Sequence, residues 1–193
     1  PFSKSSNTFL FFLIALVVPI VSATIGVSSL VLGGFSPVEN FLFIWLTWWI
    51  GDIMGLILVF PLVNVLKHNK FFIKKEQFPE LILAFIVLAL IVSTLFLGWP
   101  IQTSTNYHFI FLCLLQLLWI AFRFDIVLVL LALDMTYIIS VLGTLRFSGI
   151  FSLASANMAI IVLDIYLFVV TATIFLVSVT VMNYKRRARY KNK

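Results

Sequence analysis

The chain has 193 residues, 63% hydrophobic and only 10% charged, with a mean hydropathy of +1.18. A soluble globule needs about a quarter of its residues charged to cover its surface, and a disordered chain needs even more polarity, so both are excluded. The formal net charge of +6 would suit nucleic acid, but its distribution along the chain argues for membrane topology instead, with no nucleic acid as partner.

About 20 apolar residues carry a helix across the hydrocarbon core. Only helices are plausible here, because an open strand would leave backbone groups unpaired in lipid. The expected fold is therefore all-α, a polytopic transmembrane helix bundle of about six spans. The first span is expected over 8–32 and ends at Gly33-Gly34-Phe35-Ser36-Pro37. It is too long for the apolar core of a signal peptide and has no convincing cleavage site. The second, over 41–65, is the richest in polar and aromatic residues. A polar stretch from Lys67 to Glu80, containing Phe78-Pro79, leads into the third over 79–98, which Trp99-Pro100 closes. The fourth is expected over 107–122 and the fifth over 126–144, joined by the minimal turn Arg123-Phe124-Asp125, where Asp125 is expected to cap the fifth helix. Ser148-Gly149 lies in the loop before the sixth, over 155–183, and 184–193 form a basic tail.

Orientation follows from Lys and Arg. With the 66–78 loop in the cytoplasm, Lys4, Lys67, Lys70, Lys74, Lys75, Arg123 and the six basic residues of the tail all fall inside, and only Arg146 falls outside. That 12-to-1 split favours six spans with both ends cytoplasmic, because five or seven spans would put one basic cluster outside. Trp99 and Tyr107 then sit near the outer interface, Trp119 and Tyr184 near the inner one.

Charged groups inside a membrane are costly and usually face a bundle interior or a cavity. Asp52, Asp134 and Asp164 qualify. At 100° per residue, Trp45, Trp48, Asp52, Gly55 and Val59 fall on one stripe of the second span. Gly51 and Gly55 form a small-xxx-small pair that permits close approach of another helix. The stripe reads either as a ligand-facing or signalling surface, or as packing with Asp52 satisfied by a buried donor. On the sixth span, Asn157, Asp164, Thr171 and Ser178 recur every seven residues, as interhelical glue or as a polar path. Arg123 either snorkels to lipid phosphate or forms a salt bridge that locks the turn beside it. Arg146, the lone external base, is a candidate contact for an anionic ligand. The tail is expected to touch anionic lipid. Cys113 lies in an apolar run, where it packs as a small hydrophobe. His68 and His108 have no metal or triad spacing, and no nucleophile, phosphate-loop or zinc motif appears. No catalytic residue, metal or cofactor is therefore expected.

The run Trp48-Trp49-Ile-Gly51-Asp52-Ile-Met-Gly55, with Pro61 beyond it, resembles the Trp-Trp-x-x-Asp-x-x-Gly…Pro signature of the bacterial membrane-associated sensor domain family, type one (MASE). Leu118-Trp119-Ile-Ala121-Phe-Arg123-Phe124 resembles that family's Trp-Ala-Ala-x-Arg-Phe-Gly turn, with Asp125 in place of glycine. Gly143-Thr144…Gly149-Ile-Phe151 and Leu163-Asp164-Ile-Tyr166-Leu167 resemble its closing motifs, with Ile150 replacing a proline and Asp164 a glutamine. The likeness covers nearly the whole chain. It implies a sensory input module in a bacterial inner membrane, joined through the basic tail to a histidine kinase or diguanylate cyclase and dimerising through that output domain. Such domains usually have more spans, and an amino-terminal motif of the family is not found here, so the chain is expected to lack the first spans, in keeping with its start at Pro1 without Met. Trp45, Trp48, Trp49, Asp52, Gly55, Arg123, Arg146, Asp134 and Asp164 are the candidate ligand-binding or signalling residues. The alternative is the small-molecule-binding membrane component of a transporter, although the Ala-x-x-x-Ala coupling motif expected on its first span is missing.

Overall fold

A computed structural model describes residues 5–68, 75–99, 109–146, 150–151 and 155–191. Among them are six helices and no strand: α1 Ser5–Leu32, α2 Phe41–His68, α3 Phe78–Val92, α4 Ile110–Arg123, α5 Ile126–Leu145 and α6 Ala156–Lys191. A π-helical turn, Ser93–Leu97, extends α3. Five helical stretches are long and apolar enough to cross a bilayer, and α4 is the short one with 14 residues. At about 1.5 Å per residue α4 is roughly 21 Å long, against a hydrocarbon core of about 30 Å. The expected start of this span at 107 lies outside the described residues.

Local chemistry ends the helices where turn residues stand. After α1, Gly34 adopts φ 74°, which a side chain disfavours. The Gly34 and Phe35 amides then reach back to the carbonyls of Val31 and Leu30, closing the free end of the helix. Pro79 stands in the first turn of α3, where its missing N–H costs nothing. Phe124 turns extended to end α4. Asp125 occupies the cap position of α5, but its side chain makes no cap bond. The expectation of a carboxylate cap is thus corrected: only the Asp125 carbonyl serves, accepting from the Leu128 and Val129 amides.

Cross-links sort the helix termini into two ends. Arg123 donates Nε and Nη2 to the two carboxylate oxygens of Glu80 at 2.5 and 2.6 Å. Lys185 Nζ donates to the Phe122 carbonyl at 2.9 Å. The start of α3, the end of α4, the start of α5 and the exit of α6 therefore share one end. At the other, the Ile150 amide donates to the Leu95 carbonyl, and the Tyr166 hydroxyl to the Ile110 carbonyl. Neighbours α3 and α4 thus run antiparallel, as alternating spans must.

The core centres on α5. Ile126 to Leu130 are buried without interruption, and Leu117, Ile120, Leu163, Leu167 and Ile174 close around the helix. Farther along, the helix is buried on one side only, and Leu131, Ile138, Leu142 and Leu145 are exposed on the other. By contrast, α1 is peripheral. It buries a thin line of Ala15, Pro19, Ala23 and Val27 while Phe9, Leu13, Val17 and Val21 stand exposed. Apolar exposure on this scale suits lipid as the solvent and would make the chain insoluble in water.

Candidate functional site

The Trp-rich segment of α2 is built against α1. Trp45 and Trp49 lie one turn apart and stack, with ring centroids 5.5 Å apart. Trp45 Nε1 donates to Thr24 Oγ1 at 3.0 Å, and Trp49 Nε1 to the Leu16 carbonyl at 2.9 Å. The second acceptor lies beside Pro19, whose ring disturbs the carbonyls one turn back and whose missing N–H leaves Ala15 without its helical donor. Trp48 covers Gly26, where a Cβ would lie 2.1 Å from the indole ring. Three tryptophans thus seat α1 on α2 through two indole donors and a glycine-sized hollow.

The stripe read from sequence divides here. Its upper part, Trp45 and Trp48, turns toward α1. Lower on the helix, Asp52 is exposed. A Cβ added at Gly51 or Gly55 would meet nothing within 4 Å. The close helix approach expected at this glycine pair is not made by any described helix of the chain, and no buried donor among the described residues satisfies Asp52.

A second polar region lies between α5 and α6. Asp164 is only 1% exposed, and the Tyr137 hydroxyl donates to its carboxylate. The other carboxylate oxygen, Oδ1, has no partner among the described residues, and neither do the buried hydroxyls of Ser140 and Thr144. Residues 137, 140 and 144 fall on one face of a helix. By comparison, Thr136 spends its hydroxyl on the Ala132 carbonyl in its own helix. Three unpaired buried oxygens in one seam are a costly arrangement, because each needs a donor, a water or a ligand. Asp134 is half-buried on the same helix, below Tyr137. Along α6, Thr171 and Ser178 are buried with Asp164, while Asn157 is exposed, so the polar seam begins below the first turn.

The seam is tied to the π-helical turn. At Gly143 the backbone of α5 approaches the Phe96 carbonyl so closely that a Cβ would stand 2.1 Å from its oxygen. Phe96 stacks on Phe151 with centroids 5.9 Å apart, and Phe151 leans on Tyr166 at 5.7 Å.

Of the two readings of Arg123, the salt bridge is the one present, although its partner is Glu80 on α3 rather than a group in the turn. Arg146 closes α5 through its backbone amide, and its side chain is exposed. Cys113 is fully buried in the apolar core. Trp119 packs edge-on against Phe124, close to the Arg123 end. Lys4, Lys70, Lys74, Pro100, Tyr107, His108, Ser148 and Gly149 lie outside the described residues. Among the described residues no group of three His, Cys, Asp or Glu is placed to hold a metal. Tyr137, Ser140 and Glu80 were not singled out by sequence reasoning, and Thr144 entered it only within a family motif. The three hydroxyls recurring on one face of the fifth span were a usable signal, whereas Glu80, 43 residues from Arg123, was not.

A bundle of apolar helices with a polar seam at its centre and basic groups gathered at one end defines an integral membrane domain. Residues 1–185 match the MASE1 family, and the chain belongs to it. MASE1 is a family of membrane sensory domains, so the sensor class follows from membership. No curated protein and no solved structure matches the chain.

Proposed function

We propose that this chain is the sensory input part of a bacterial inner-membrane signalling protein. It responds to a ligand or membrane partner and conveys the change through α6 to a cytoplasmic output domain of the histidine kinase or diguanylate cyclase type. The carrying observation is the continuity of α6. One helix of 36 residues, Ala156–Lys191, carries Asp164 of the seam, passes Lys185 on the end of α4, and continues into the basic tail. A rigid rod with one end in a polar core transmits a shift or rotation over its whole length. Two packings of the seam, one with the unpaired oxygens of Asp164, Ser140 and Thr144 satisfied, would differ in free energy, and a stimulus that favours one shifts the population.

In this reading the Arg123, Lys67 and Lys185 end faces the cytoplasm, which satisfies the positive-inside rule. Arg146 then faces outward, where it is placed to meet an anionic ligand. The tail lies on anionic lipid, and homodimerisation occurs through the output domain.

The test is helical phase in the full-length protein. Inserting one residue after Asn183 turns everything beyond it by about 100°, whereas seven residues restore the phase to within about 20°. Output activity should change with one residue and recover with seven. Equal output from both insertions would refute transmission through α6.

A further inference from the structure

Ser140, Thr144 and Asp164 are each at most 1% exposed. Their Oγ, Oγ1 and Oδ1 atoms find no hydrogen-bond partner among the described residues, one another included. A hydroxyl on an apolar helix has a ready acceptor in the carbonyl four residues back. Thr24, Ser29, Thr136, Thr173 and Thr180 all use it, at 2.6 to 2.8 Å. Ser140 and Thr144 do not, so their oxygens are withheld from the backbone of their own helix.

The row has a fixed order. Tyr137, Ser140 and Thr144 follow one another by a turn along α5, and Tyr137 ties Asp164 of α6 to the first of them. Between Ser140 and Thr144 in the chain lies Gly143, where the π-helical turn brings the Phe96 carbonyl oxygen to 2.1 Å from the place of a Cβ. A carboxyl, a backbone carbonyl and two hydroxyls thus gather along one short stretch of α5. All four present oxygen lone pairs, and a donor set of oxygen alone selects hard cations. Only one of the four is acidic, and no group of three His, Cys, Asp or Glu is placed to hold a metal among the described residues, so the set balances one positive charge and not two. Irregular backbone carbonyls are also what membrane bundles use to hold Na+ near mid-bilayer. A proton on Asp164 would satisfy the carboxyl alone and leave both hydroxyls as they are. We propose that Asp164, Ser140, Thr144 and the Phe96 carbonyl form a site for one small monovalent cation of the size of Na+, which enters as the Asp164 proton leaves. The inference deepens the sensory reading and rests on it for the cation's role as a stimulus, while the binding itself is measured without any output.

The full chain in mixed micelles tests it, at fixed pH and with choline chloride holding the ionic strength constant. Radiolabelled Na+ should bind saturably at one ion per chain, and the thermal midpoint should rise by about 3–6 °C once Na+ reaches about ten times its Kd. Asp164→Asn should abolish both effects. Thr144→Val keeps the shape and removes one oxygen, so Na+ should bind at least about tenfold more weakly. Losing an unpaired buried hydroxyl leaves that variant at least as stable in choline, so it reports binding even where Asp164→Asn fails to fold. Thr136→Val should bind Na+ as the natural chain does, because that hydroxyl is spent on Ala132. Absence of saturable Na+ binding, binding unchanged in Thr144→Val or in Asp164→Asn, or an equal loss in Thr136→Val would each overturn the proposal. Transmission through α6 would survive those results, since only the insertions after Asn183 refute it.

Discussion

Gly143→Ala adds one methyl group at the closest backbone approach in the bundle. Its Cβ would stand 2.1 Å from the Phe96 oxygen and 2.5 Å from the Phe96 carbonyl carbon. Ordinary contact begins near 3.4 Å, so α5 and the π-helical turn would have to part by more than an ångström. Both sides of the clash are backbone, and no flexible side chain can swing away. Overpacking costs about 1–3 kcal/mol in general, and a contact this rigid belongs at the upper end, about 3 kcal/mol. Parting the two also strains the Ile150 amide bond to Leu95 and the Phe96–Phe151 stack. The controls are built into the molecule. Gly51→Ala and Gly55→Ala meet open space. Each should be neutral or gain up to about 1 kcal/mol of helix propensity. Equilibrium unfolding of the three variants in mixed micelles, followed by tryptophan fluorescence, reads the difference. If Gly143→Ala unfolds within about 0.5 kcal/mol of the natural chain, the close approach of α5 to Phe96 is wrong.

Tyr137→Phe removes the only donor to the Asp164 carboxylate found among the described residues. A double-mutant cycle with Asp164→Asn, measured by the same unfolding assay, should give a coupling of about 0.5–1.7 kcal/mol, and a coupling near zero would mean the bond is not made. Trp49→Phe keeps the ring and loses the donor to Leu16, so α1 should loosen from α2 by about 1 kcal/mol, seen as faster labelling of a cysteine placed at Ala15. Arg123→Lys should lower the thermal midpoint because a lysine cannot fork onto Glu80, and Glu80→Gln in that background should add little further loss. Asp52→Asn in the full-length protein should alter output over the stimulus range while the chain still inserts, and an unchanged response would remove Asp52 from signalling.

Much of the bundle was legible from hydropathy, because lipid imposes length and apolarity on each span directly. Five spans show these in full, and the Gly33-Gly34 and Arg123-Phe124-Asp125 breaks fall where the helices end. The site was legible in part. Asp164 stood out as an acid inside an apolar run, and the tryptophans as a cluster, but their partners were hidden. Trp49 meets Leu16 at 33 residues' distance, and Arg123 meets Glu80 at 43. Periodicity reports which residues share a face and says nothing of what that face meets. The Asp125 cap failed for a related reason: the residue type favours capping, but the side-chain bond depends on a rotamer chosen by the surroundings.

The sequence by itself determined that this is a membrane bundle, where its helices break and which end gathers the basic groups, because those properties depend on composition and local backbone chemistry. Only the tertiary structure decided that the tryptophans hold α1, that Asp164 pairs with Tyr137 beside two hydroxyls unpaired among the described residues, and that Asp52 is exposed between two open glycines. Those outcomes depend on which helices become neighbours and with what rotation, and both are settled by packing between segments far apart in the chain.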